Sequence, residues 1–367
     1  MKQPIISPSN RLVSLDAYRG ITMFLLIAES ALLYQALIGL FPENTWGHHI
    51  MIQFTHHPWN GLRFWDLIQP FFMFIVGVAM PFSLTRRLEN SQDSSKVTRH
   101  VLRRCLLLFL FGTGLHCVYN QQLVFELWNV LTQLSFTILF TYLFLRQPFK
   151  VQLGVSIGLL LLTELMYRMY HPEAPFVKGE NFGSYMDQLM MGKLSPGNWV
   201  AINCIPTAAH TLWGAMCGNL LRKKLPDLKK IKWFFLAGLG GLILGYGLDI
   251  LQITPIVKRI CTSSFVLASG GWALVALGLF YWLVDMKKVQ SWTFPFILVG
   301  MNPIFIYLFA QVLGQWLFNL LKIFSFGVME PLGVPEPGMQ LINALLTLGA
   351  MWYLCYFLYK KKIFFKI

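Results

Sequence analysis

Long apolar runs separated by short polar connections recur along the chain, and they exceed the ~11–12 residues of an average globular helix. Ten runs reach or approach the ~20 residues that cross ~30 Å of hydrocarbon. They cover residues 17–40, 62–85, 103–119, 124–145, 151–170, 199–221, 233–250, 263–285, 293–318 and 339–359. None shows the ~10-residue alternation of polar and apolar positions that a transmembrane barrel strand requires. The pattern predicts an all-α polytopic membrane protein of about ten transmembrane helices, a single domain over residues 1–367 with no long linker. The two halves do not read as copies, so the internal repeat of many transporters is missing.

Composition agrees with this reading. Of 367 residues, 56% are hydrophobic and only 13% charged, against ~25% charged in soluble domains. The net charge of +14 raises nucleic acid as a partner, but the distribution of the basic residues argues otherwise. They fill every second connection: Arg86, Arg87, Lys96, Arg99, Arg103 and Arg104, then Arg146 and Lys150, then "RKKLPDLKKIK", Lys287 and Lys288, and the tail "YKKKIFFKI". The positive-inside rule places these connections and both termini in the cytoplasm. The expected location is multi-pass in a bacterial inner membrane, with the lipid bilayer as partner and no nucleic acid. The opposite connections, 41–61, 120–123, 171–198, 251–262 and 321–338, are poorer in Lys and Arg and include the longest. The N-terminus has no apolar stretch followed by a small-residue cleavage site. Six scattered cysteines form no Cys-x-x-Cys pair, so neither a disulfide framework nor a zinc site is expected.

An ionisable group within a span costs several kcal/mol unless it meets a partner or a wet cavity, so each one asks for a reason. In "RLVSLDAYRGITMFLLIAES", Asp16 and Arg19 lie three apart and can pair on one helix face. Glu29 follows about 20 Å further along at ~1.5 Å per residue; it is either an acid, base or orienting group in a cavity, or a carboxyl bonded to a neighbouring helix. In "THHPWNGLRFWDLIQPFFMFIVG", His56 and His57 stand at the external mouth of the second span. Pro58, Asn60 and Gly61 open the backbone, Trp59 is an interfacial anchor, and Arg63 and Asp66 again lie three apart, with Pro70 expected to kink the span. Imidazole titrates near pH ~6.5 and serves as a base or a nucleophile. A metal would need a third ligand at matching geometry, and adjacent histidines on a helix point apart, which speaks against one. Asn302 precedes Pro303 in an apolar run and should break that helix, with Gln311 further along. His210 and His116 are intramembrane candidates, while His48, His49 and His171 read as polar packing.

Five stretches in order, "RLVSLDAYRG", "HHPWNGLRFWDLIQPFFMFIVG", "PIVKRICTSSFVL", "VGMNPIFIYLF" and "YKKKIFFKI", resemble the catalytic membrane domain of the heparan-α-glucosaminide N-acetyltransferase family. The resemblance extends to its bacterial relatives, including a group known only as a domain of unknown function, and runs from Arg11 to Ile367. It implies transfer of an acetyl group from cytoplasmic acetyl-CoA, a co-substrate, to a glucosamine amine across the membrane, with no metal. The histidine three residues before Trp-Asn-Gly is then the catalytic one, which is His56 and not His57. From their places beside it, Glu29, Asn60 and Asp66 join His56 in the expected catalytic set. Substrate and acyl-CoA binding would fall to Asp16, Arg19, Trp59, Arg63, Asn302, Lys258 and His210. The partners implied are acyl-CoA and an amino-sugar or oligosaccharide acceptor, with a homodimer entertained as the assembly.

This chain departs from the family pattern at three places. Ser30 stands where the human-type enzyme has an asparagine, Gln133 where the family commonly has an arginine, and "LSPGNW" where it has Asp-Pro-Glu-Gly. The last two bear on the acceptor and on the donor pocket. Two rival readings follow from the residues: a transporter in which Glu29, His56, Asp66 and Asn302 line a pathway, and a binding scaffold that kept the fold without the chemistry.

Overall fold

A computed structural model describes residues 12–91 and 94–365, with no description of the side chains of 85–94. Arg11, Lys366 and Ile367 of the terminal motifs, and the side chains of Arg86 and Arg87 in the first basic connection, lie outside the described residues.

The first apolar run is a bent pair rather than one rod. Helix α1 (Val13–Ser30) stops at Leu32, a residue in the left-handed region at φ 59°, and α2 (Leu33–Gly39) leaves at 63° to it. A short helix α3 (Trp46–Met51) and an extended stretch follow. A 3-10 turn, Phe64–Leu67, then runs directly into α4 (Ile68–Ser91). Pro70 falls in the first turn of α4, where a missing N–H is best tolerated, so it does not kink the middle of the span.

Helices α5 (Ser94–Asn120), α6 (Val130–Phe144) and α7 (Phe149–Tyr170) come next. The longest connection between membrane helices carries α8 (Phe182–Met191). Helices α9 (Cys204–Arg222), α10 (Asp227–Ile250) and α11 (Ser263–Phe280) follow, α11 continuing as a π-helical turn over Tyr281–Met286. The run predicted at 293–318 is broken at Asn302, as the Asn-Pro pair suggested, into α12 (Phe294–Gly300) and α13 (Pro303–Met329). Helix α14 (Glu336–Lys360) closes the bundle.

Among the described residues, seven helices are long and apolar enough to cross a bilayer, or eight if the bent pair counts as one span. The difference from ten has a physical cause. Helix α6 has only 15 residues, ~22 Å of rise. Helix α9 carries Thr207, His210, Thr211 and Asn219 in 19 residues, and it packs against α4, α6, α7 and α11. An interior helix touches little lipid, so it tolerates polar side chains that a lipid-facing one would not.

Helix α4 is the axis of the bundle. Phe71, Phe74 and Val78 pack toward α1 and α11, Ile68 toward α13 and α14, and Met73 and Met80 toward α5 and α6. Glycines set how closely α9 approaches it. A Cβ on Gly77 would lie 2.0 Å from the Thr211 carbonyl oxygen, and one on Gly214 would lie 2.1 Å from that of Phe74. Lipid is as apolar as leucine, so such backbone-to-backbone packing holds membrane helices together. The short connections make sequence neighbours antiparallel. The stretches 55–63, 121–129, 192–203 and 251–262 therefore meet at one end of the bundle.

Candidate functional site

The extended stretch 55–63 is fixed to the 251–262 connection through its backbone. Asn60 pairs with Val257 in an isolated bridge, and the Gly61 N–H donates to Ile256 O at 2.8 Å. Gly61 has φ 141°, and a Cβ there would sit 2.6 Å from the His57 ring, so this crossing requires glycine.

Asp66, only 1% exposed, organises the stretch. Its Oδ2 accepts the backbone N–H groups of His57 at 3.2 Å and Arg63 at 3.0 Å, as a carboxylate does at a helix start. Its Oδ1 faces His56 Nδ1 at 2.9 Å and Lys258 Nζ at 3.5 Å. The Arg63 guanidinium braces the same loop by donating to Thr55 Oγ1 at 2.7 Å and His56 O at 3.0 Å.

Lys258 reaches the site from the opposite connection. Its buried Nζ lies 3.1 Å from His56 Nδ1 and 5.4 Å from the centre of the Trp199 ring. The connection is held by carboxylates and hydroxyls: Glu164 accepts from Thr254 at 2.7 Å, Asp249 from the Ile256 N–H at 2.9 Å, and Thr262 Oγ1 from the Val257 N–H at 3.0 Å.

His56 Nδ1 faces both Asp66 Oδ1 and Lys258 Nζ; in the tautomer that carries its proton on Nδ1 the ring donates to Asp66. Among the described residues nothing then bonds Nε2. Burial pushes the His56 pKa below its ordinary value and the Lys258 charge lowers it further, with Asp66 opposing. The ring is therefore neutral at pH 7 with a free lone pair. Burial also lowers Lys258, against the pull of Asp66.

His56 and Lys258 line a cavity of about 190 Å³. Glu29 of α1, Trp65, Gln69 of α4, Gln133 of α6, and Tyr307 and Gln311 of α13 form its other walls, with Trp128 and Trp199 from two connections. Glu29 accepts a hydrogen bond from the Trp65 side chain. Gln133 accepts from Gln69 and donates to Asn203, a chain of amides across the floor. Trp199 meets the His56 ring edge-on at 5.5 Å.

A family described as a domain of unknown function, DUF5009, matches residues 11–189. The heparan-alpha-glucosaminide N-acetyltransferase of Mus musculus is 22% identical over 98% of this chain, and that of Homo sapiens 22% identical over 97%. The chain resembles these N-acetyltransferases along its whole length. It spans about three-fifths of the length of these curated relatives, 61% and 60%. The DUF5009 match includes Glu29, His56, Asp66, Trp128 and Gln133, whereas Trp199 and Lys258 lie beyond it.

Against the expectations drawn from the resemblance to these acetyltransferases, the geometry divides the residues. His56, Glu29 and Lys258 share the cavity, and Asp66 acts behind His56. The others stand elsewhere. Asn60 is exposed and contributes its backbone. The Trp59 indole donates to Phe176 O at 3.1 Å and ties down the long connection. Asp16 and Arg19 pair at 3.2 Å in the first turns of α1, far from Glu29 at its other end. His210, fully buried, bonds Val266 O at 3.1 Å and Ser269 Oγ at 2.9 Å through Nε2, joining α9 to α11. The Asn302 amide donates to Ile363 O at 3.0 Å and accepts from the Phe365 N–H at 2.9 Å, so it pins the C-terminal segment.

The residues that sequence reasoning missed are Gln69, Trp128 and Tyr307, and the cavity role of Trp199. Gln69 was open to detection, as a polar group inside an apolar run. A tryptophan at a helix end reads as an interfacial anchor, and only tertiary placement separates Trp128 and Trp199 from that role. Among the described residues no group of three His, Cys, Asp or Glu side chains could hold a metal ion.

Proposed function

We propose that the protein is a membrane-embedded acetyltransferase, a single transmembrane domain. It moves an acetyl group from cytoplasmic acetyl-CoA to the amine of a glucosamine-type sugar at the opposite, His56 end. The observation that carries this reading is His56 itself: a ring held through Nδ1 at 2.9 Å from Asp66, on a cavity shared with Glu29 and Lys258. Resemblance to N-acetyltransferases along the chain supports it.

The amine attacks the thioester carbonyl carbon as His56 Nε2 takes its proton. The tetrahedral oxyanion collapses, the C–S bond breaks, and the departing thiolate takes that proton from the imidazolium, leaving amide and free CoA. Asp66 steadies the imidazolium while it exists. Asn60 and Asn302 are away from the cavity, which leaves Lys258 and the amides of Gln69 and Gln133 as donors to the oxyanion. Glu29 accepts a hydrogen bond from the neutral acceptor amine and orients it for attack.

The test is a mass-shift assay on purified protein with acetyl-CoA and glucosamine, comparing wild type with His56→Ala and with His57→Ala as control. Product from wild type and His57→Ala but not from His56→Ala is expected. Equal product from all three would overturn the assignment.

A further inference from the structure

Trp128 and Trp199 come from two separate connections, yet one carboxylate of α8 bonds Trp128 itself and Ala201, two residues after Trp199. Asp187, fully buried, accepts the Trp128 indole N–H at 2.6 Å through Oδ2 and the Ala201 backbone N–H at 2.9 Å through Oδ1. Helix α8 sits close enough to do this because of Gly183. A Cβ there would lie 2.3 Å from the Tyr167 hydroxyl and 2.8 Å from Val200. Two walls of the cavity thus depend on one side chain outside it.

The two indoles offer different surfaces. Lys258 and Arg259 stand over the Trp199 ring, 5.4 and 5.7 Å from its centre, and His56 meets it edge-on. The Trp128 N–H is committed to Asp187, and His116 lies edge-on to its ring at 6.3 Å. Trp128 therefore has apolar ring surface left for the cavity. The amides of Gln69 and Gln133 share that cavity. An apolar plate beside a row of amide donors and acceptors suits a ligand with one apolar face and a rim of hydroxyls, the chemistry of a pyranose. About 190 Å³ is below the ~300–1,000 Å³ of drug-sized sites, on the scale of a single sugar ring. Two of the three departures from the family pattern, Gln133 and the "LSPGNW" segment that carries Trp199, fall on these walls.

We infer that Trp128 is the platform for a single terminal pyranose of the acceptor, and that Asp187 is the positioning residue that holds it. The inference rests on the acetyltransferase reading for its role in the reaction, but sugar binding tests it independently.

The experiment measures binding of glucosamine and, separately, of acetyl-CoA to the full chain in detergent, for wild type, Trp128→Ala, Trp128→Phe and Asp187→Asn. Trp128→Ala should weaken glucosamine roughly tenfold, the scale of one aromatic contact, with acetyl-CoA binding unchanged. Trp128→Phe keeps a ring and should retain most of the affinity. Asp187→Asn should raise KM for glucosamine with kcat within about twofold, a split that general unfolding would not produce. Glucosamine binding equal to wild type in Trp128→Ala, or loss of acetyl-CoA binding instead, would overturn the platform. Wild type that binds glucosamine through Trp128 yet forms no acetyl product would leave the subsite standing and overturn the reaction.

Discussion

His56 and Asp66 are ten positions apart in sequence and 2.9 Å apart in space, Nδ1 to Oδ1. The carboxylate accepts two backbone N–H groups through its other oxygen, so its orientation does not rest on the imidazole alone. That arrangement makes Asp66 a support for His56 and the loop together. Several consequences can be measured.

Replacing His56 by Ala should lower kcat by about 10²–10⁴, the usual contribution of general-base catalysis. His57→Ala should stay near wild type, because His57 touches Asp66 only through its backbone N–H. Acetyl transfer followed by mass spectrometry separates the two.

Asp66→Asn should cost activity and stability together. It removes the charge facing His56 and Lys258 and sets an amide N–H against groups that are themselves donors. A loss of about 1–3 kcal/mol is expected from leaving buried polar groups unsatisfied, read as a lower melting temperature.

The His56 pKa lies below its ordinary ~6.5 because the ring is buried and Lys258 stands beside it. The rate should therefore hold at pH values below ~6.5 and fall only as pH approaches the lowered value. In that same window the unfolded chain binds a proton that the folded chain does not. The stability His56 contributes is thus fully present above ~6.5 and lost as pH falls through the folded value. His56→Gln should flatten this part of a melting-temperature profile.

Lys258→Met removes a neighbouring cation that holds the His56 pKa down. The acid limb of the pH–rate profile should move to higher pH, the opposite direction from an Asp66 variant. An unmoved limb would show that Lys258 does not act on the imidazole.

Asn302→Ala should leave acetyl transfer unchanged and release the C-terminal segment. Two hydrogen bonds, to Ile363 O and from the Phe365 N–H, are lost, about 1 kcal/mol each. Faster tryptic cleavage at Lys360–Lys362 at unchanged activity is the expected pair of results.

The sequence alone determined the solvent and the scale of the fold. Twenty-residue apolar runs and alternating basic connections require helices in lipid, because an unpaired backbone has no other place in hydrocarbon. It also marked His56, Asp66 and Glu29 as costly groups near one mouth, and it placed the break at Asn302. Tertiary structure decided which of the marked residues meet. Lys258 follows His56 by some two hundred positions and reaches it only because two connections pair through Asn60 and Val257. Asn302 and His210 carried the same signal of polar cost, yet they bond backbone groups and a serine away from the cavity. Polarity in an apolar run shows that a partner is needed. Only the packing of distant segments decides whether that partner is a neighbouring helix or an open cavity, as it decided that Trp128 faces one.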